Sequence, residues 1–98
     1  EDVTDDVRVT GDHAAYIALQ RPGHLAIMIG NTLDRTITTS LRVAEHRLPA
    51  RCSARWFNSL VNEWRERRHF DLRQLRDGFP VHVARHGFCV IELREQQG

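Results

Sequence analysis

Lysine is missing from this 98-residue chain, and all 14 of its basic residues are arginine. That absence removes Schiff-base and lysine-nucleophile chemistry. It leaves guanidinium groups, which suit bidentate carboxylate contacts and stacking on aromatic rings. A composition bias of the genome accounts for the arginines with no functional role at all. Cysteine is scarce: Cys52 and Cys89 stand far apart and form no CxxC pair, so the spacing of a closed zinc site is absent. No apolar run approaches the roughly 20 residues needed to span a bilayer, so no membrane partner is expected. The formal net charge of +1 gives no global field for nucleic acid or a membrane surface.

What remains is ordinary for a folded protein. With 41% hydrophobic and 28% charged residues the chain has the composition of a globular domain, not a disordered one. Its length fits one domain with one core over residues 1–98. The opening Glu1-Asp-Val-Thr-Asp-Asp6 is acidic and lacks an initiator methionine. The expectation is a fragment of a larger chain, neither a signal peptide nor a natural translation start.

The clearest structural signal lies near the C-terminus. Val81 and Val83 alternate with His82 and Ala84, which places one face of a strand on a core. Arg85, His86 and Gly87 make the turn, with Gly87 expected to take positive φ. From Phe88 to Leu93 the chain is apolar on both faces: Cys89, Ile91 and Leu93 point one way, Phe88, Val90 and Glu92 the other. Such a strand is central in its sheet or covered on its second face.

Earlier in the chain, Val7-Arg-Val-Thr10 reads as a short strand with Gly11-Asp12 as its turn. The run His13 to Leu19 leads to Arg21-Pro22-Gly23, a strong turn signal, and then to the β-rich Leu25 to Ile29. Strand, turn, strand is the simplest account. Thr36 to Val43 alternates, with Ile37, Thr39, Leu41 and Val43 on one face. Ala44 to Leu48 reads as strand or extended loop, and the polar tail Arg94 to Gly98 is expected to fray.

Residues 51–76 admit two readings. Trp56, Phe57, Leu60, Val61 and Trp64 fall at helical spacing, with Ser53 as a candidate N-cap. In the other reading Arg55 to Phe57 is a strand, Asn58 to Asn62 a turn, and Glu63 to His69 the way into the next strand. Pattern alone favours the helix, and the neighbouring hairpins favour the turn. About seven short strands with turn signals between them predict an all-β, antiparallel two-sheet β-sandwich, immunoglobulin-like or similar.

Leu25-Ala-Ile-Met-Ile-Gly-Asn-Thr32, the Thr36 to Val43 strand, Arg55-Trp-Phe-Asn-Ser-Leu-Val-Asn-Glu63 and the hairpin from Gly78 to Leu93 follow one another in a telling order. The layout resembles the small C-terminal β-sandwich domains that follow the catalytic barrel in many glycoside hydrolases. The resemblance covers most of residues 7–93 and consists of strand rhythm and turn chemistry. Two places depart from it: Asn58 stands where an Asp is common, and Arg65 to His69 is more basic than that loop usually is. The resemblance implies a non-catalytic accessory module packed on the parent catalytic domain. No catalytic residue carries over, because the family's carboxylates lie in the barrel.

Glycosidase action needs two carboxylates roughly 5–10 Å apart beside a sugar subsite. Glu63, Glu66, Asp71 and Asp77 instead read as solvated charge. The six histidines show no HxH or HExxH spacing, and neither a metal nor a cofactor is expected. His82 and His86 are at i and i+4, but a turn separates them. Cys89 reads as a small buried hydrophobe, and a disulfide with Cys52 requires the two to lie on neighbouring strands. Trp56 and Trp64 are the candidate ligand-binding residues, since an exposed indole can stack on a sugar face; burial in the core is the commoner fate of tryptophan. Arg65, Arg67, Arg68, Arg73 and Arg76 could contact phosphates, but Glu63, Glu66, Asp71 and Asp77 interleave with them and cancel most of the field.

The expected function is therefore an accessory domain that buttresses a carbohydrate-active enzyme, with the apolar Phe88 and Val90 face meeting the catalytic domain. A carbohydrate-binding module using Trp56 or Trp64 is the first alternative. An arginine-rich interaction domain for protein or nucleic acid is the second.

Overall fold

The computed structural model describes residues 1–11, 14–58 and 60–96, and for Asn58 the backbone alone. Asp12, and with it the expected Gly11-Asp12 turn, lies outside the described residues, as does His13. Eight strands occur among the described residues: β1 (Val7–Thr10), β2 (Ala14–Arg21), β3 (His24–Asn31), β4 (Ile37–Val43), β5 (Cys52–Asn58), β6 (Glu63–Arg67), β7 (Phe79–Val83) and β8 (Phe88–Glu95). Among the described residues one short α-helix, α1 (Arg73–Asp77), precedes β7. One sheet has the order β1-β4-β7 and the other β2-β3-β8-β5-β6, with every pairing antiparallel. The antiparallel sandwich read from the sequence is the fold, with eight strands where about seven were expected.

The period-2 alternation decides which side chains meet between the sheets. Leu25, Ile27 and Ile29 of β3 and Cys89, Ile91 and Leu93 of β8 face Ile37, Leu41 and Val43 of β4 and Val81 and Val83 of β7, and all are buried. Val7 and Ala18 extend this core, and Leu75 of α1 is fully enclosed. The strand that is apolar on both faces, β8, is the middle strand of the five-stranded sheet. Two buried polar residues are accommodated by hydrogen bonds. Thr39 donates to the Val81 carbonyl at 3.4 Å. Asn31 donates through Nδ2 to the carbonyls of Arg35, Val83 and Ala84, and its Oδ1 accepts from the Leu33 N–H at 2.9 Å.

From Cys52 to Arg67 the chain runs as strand, turn and strand, the second of the two readings, and the helical reading of Trp56 to Trp64 is corrected. Trp56 and Phe57 lie on opposite faces of β5, and Phe57 sits directly across from Trp64 of β6. The helical spacing arose from counting through the turn, where Leu60 and Val61 are exposed and join no core. Three smaller expectations also change. Glu45–Arg47 within the Ala44 to Leu48 stretch is a 3₁₀ turn, held by Arg47 donating to Asp6 at 2.8 Å and to Gln20 at 3.0 Å. The Arg47 hydrogen bond keeps the Asp6 carboxyl below the usual carboxylate range, with His46 adding to the effect. What this pair adds to stability is therefore present above the ordinary carboxylate range and is lost as pH falls through the lowered value.

The tail does not fray at its start, because Arg94 and Glu95 belong to β8 and pair with Ser53 and Cys52 of β5. In the β7–β8 turn it is His86 that takes positive φ, at 51°. Gly87 is required there for space instead: a Cβ at that position would stand 2.9 Å from the Ala84 carbonyl oxygen.

Candidate functional site

The five-stranded sheet has an inner face that builds the core and an outer face that none of the described residues covers. On that outer face the sequence places apolar residues where an antiparallel sheet facing water normally alternates to polar ones. Register makes them neighbours. Ile17 of β2 pairs with Met28 of β3, and Met28 pairs with Val90 of β8. Phe57 of β5 follows, stacked on Phe88 with ring centroids 5.4 Å apart, and Trp64 of β6 lies across from Phe57 at 5.5 Å. Leu19 pairs with Ala26 in the next row. Ile17, Leu19, Met28, Trp64 and Phe88 are each 42–50% exposed. An apolar band thus crosses all five strands.

Charge borders the band on one side. Glu92 pairs with Ala26 on β3 and with Arg55 on β5. Its Oε2 lies 3.8 Å from His24 Nε2 and 3.9 Å from Arg94 Nη2. His24 Nε2 is buried and finds no hydrogen-bond partner among the described residues. The Arg55 guanidinium lies over the Trp64 ring, 4.0 Å from its centroid, so a cation occupies one side of that indole.

The two candidate tryptophans do not converge. Trp64 is on the outer face and part of the band. Trp56 points inward, half-buried, and meets Phe79 and Phe70 edge-on at centroid distances of 5.9 and 6.4 Å. Beside it a narrow cleft of about 60 Å³ runs along β7, lined by Phe79, Pro80, Val81, His82, Cys89 and Ile91 among others.

The acidic residues named from the sequence are spread over the surface. Glu63 sits beside Arg65, Asp71 beside Arg73, and Asp77 beside Arg76. The arginines of this region accordingly divide between β6, the loop after it at Arg68, and α1. Among the described residues, no three His, Cys, Asp or Glu side chains come together as a metal site. His82 is exposed and shares a 3.0 Å hydrogen bond with Thr38.

Both cysteines are buried and free. They share the inner face of neighbouring strands, but Cys52 pairs with Glu95, six residues along β8 from Cys89. At about 3.4 Å per residue that is roughly 20 Å, beyond any disulfide. Burial pushes each thiol up to about 11, so both remain protonated at neutral pH.

No family model, curated protein or solved structure matches this chain. Its own geometry carries the functional argument. The outer band was only half legible in the sequence: Phe88 and Val90 pointed to it. Ile17, Leu19 and Met28 were missed because their strands read as ordinary hairpin strands. Alternation that is apolar on both faces, visible in Tyr16-Ile17-Ala18-Leu19 and Ala26-Ile27-Met28-Ile29, was the signal.

Proposed function

We propose that this chain is a non-catalytic accessory domain of a carbohydrate-active enzyme, and that the outer face of its five-stranded sheet packs against the catalytic domain. The observation that carries the reading is the exposed apolar band across all five strands. The resemblance to the C-terminal domains of glycoside hydrolases supports it independently. The size of the band favours an occupant on the same polypeptide. Four strand spacings by three outward-facing residues give a face of about 400 Å², apolar except where Glu92, Arg55 and Glu66 border it. Covered from both sides, that is about 800 Å², within the range for contacts between domains of one chain, roughly 600–1,500 Å². It falls short of the roughly 1,600 Å² of a standard free-standing complex.

A carbohydrate-binding module is the second reading, favoured by the exposure of Trp64. The Arg55 cation over that ring and the inward turn of Trp56 leave less free aromatic surface than a sugar platform uses. Two measurements separate the readings. Produced alone, the chain should hydrolyse no glycoside, and its tryptophan fluorescence should not respond to a panel of oligosaccharides. Mixed with the separately produced catalytic domain at concentrations on the order of 100 μM, it should co-elute with it. Turnover by the chain alone would overturn the non-catalytic reading. A saturable fluorescence change with a sugar, and no co-elution, would replace docking by carbohydrate binding.

A further inference from the structure

The three-stranded sheet has an outer face of its own, on the side of the sandwich away from the apolar band. Val7, Leu41 and Val43 are buried in the core. Arg8 and Arg42, which alternate with them, therefore point outward, and both are exposed. The register of β1 and β4 sets these two arginines directly opposite each other. Like charges in that position destabilise a sheet. The next row carries no such conflict, since there Thr10 stands opposite Ser40.

Among the described residues no carboxylate relieves the pair. Asp6 is held by Arg47 and Asp77 by Arg76, and neither Arg8 nor Arg42 takes part in an ion pair. Single unpaired arginines occur elsewhere, Arg21 and Arg51 among them; here two meet in register. The backbone beside them is bare as well. Gly78, just before β7, has φ 131°, a conformation that favours glycine. A Cβ there would stand 2.6 Å from Ser40 Oγ and 3.7 Å from Arg42 Nε. A hydroxyl and a guanidinium thus converge from β4 on the hollow above Gly78.

We propose that Arg8, Arg42 and Ser40 form a binding site for one tetrahedral oxyanion, the phosphate or sulfate ester of a small ligand. Each guanidinium offers parallel N–H donors that match a pair of oxyanion oxygens. An anion between the two arginines turns their repulsion into attraction, and Ser40 Oγ adds a neutral donor at the hollow. The size of the cationic patch limits the ligand. Two arginines neutralise one doubly charged group, whereas a protein held on a nucleic-acid backbone makes about 6–10 phosphate contacts. The site lies on the opposite sheet from the apolar band and is independent of the docking reading.

Titration of the chain with inorganic phosphate, inorganic sulfate, glucose 6-phosphate and glucose 6-sulfate tests the site, followed by NMR at the arginine Nε–H and glycine amide signals. At low ionic strength the signals of Arg8, Arg42 and Gly78 should move together and saturate, with a Kd on the order of 1 mM, while Arg21 and Arg51 stay still. Saturation by either kind of ester supports the site, and their order of affinity names the group. Shifts that grow without saturating, equally at Arg21 and Arg51, would mean an adventitious ion only and overturn it, as would no shift at all. Arg8→Gln and Arg42→Gln should each weaken binding about tenfold, and unchanged affinity in either would count against the site. Thermal unfolding gives a second readout. Without the anion Arg8→Gln should raise Tm, because it removes the repulsion; phosphate should raise Tm for the natural sequence and not for the variant. An equal response of the two to phosphate would contradict the proposal.

Discussion

Asn31→Leu should lower the stability of this domain by about 3–5 kcal/mol, more than any other substitution of a polar residue. The side chains are similar in size, so the loss is one of hydrogen bonds, not of packing. Asn31 is buried and joins three carbonyls, Arg35, Val83 and Ala84, to the Leu33 N–H. It thereby ties the end of β3 to the turn before β4 and to the end of β7 in the opposite sheet. Leucine removes this partner from the Arg35 and Val83 carbonyls and the Leu33 N–H, while the Ala84 carbonyl keeps the Gly87 N–H, and each buried unsatisfied group costs about 1–3 kcal/mol. Domains of this size have total stabilities of roughly 5–15 kcal/mol. The expected shift is a fall in Tm of roughly 20 °C, read by circular dichroism. A loss under about 1 kcal/mol would show that water replaces the amide, and the account of this corner would be wrong.

Met28→Glu should behave in the opposite way, nearly silent in the domain alone and severe in the enzyme proposed to carry it. Met28 is half exposed at the centre of the outer band, so in the isolated chain the change should stay within about 0.5 kcal/mol. Under a docked catalytic domain the new carboxylate would be stripped of water among Ile17, Val90 and Ala26. The penalty is then about 2–4 kcal/mol. Calorimetry of the parent should show one cooperative transition for the natural sequence and two separated transitions for the variant. An unchanged single transition would mean that Met28 is not covered.

Much of the fold was legible because its strands obey simple rules. Ile37, Thr39, Leu41 and Val43 alternate and are buried, and Pro22-Gly23 joins β2 to β3 as its chemistry dictates. The central place of β8 followed from its being apolar on both sides. The β5–β6 region stayed open between two readings, of which strand, turn and strand is the fold, because a period is a statement about one element. Trp56 and Trp64 belong to two strands joined by a turn, and their spacing mimics a helix by coincidence. Cys52 and Cys89 show the same limit in another form: the sequence allows neighbouring strands, but only register shows that the two thiols sit at opposite ends. As for the candidate site, Phe88 and Val90 pointed to it, while its full width depended on which strands became neighbours. That is a property of topology, and no local window contains it.

Met28 is the only methionine in the chain and stands in the middle of the band, so its oxidation by peroxide reports directly on whether the band is covered. In the proposed parent polypeptide Met28 should be oxidised roughly tenfold more slowly than in the isolated domain, followed by mass spectrometry of its peptide. Equal rates in the two forms would leave the band open to water and contradict the docking of this face on the catalytic domain.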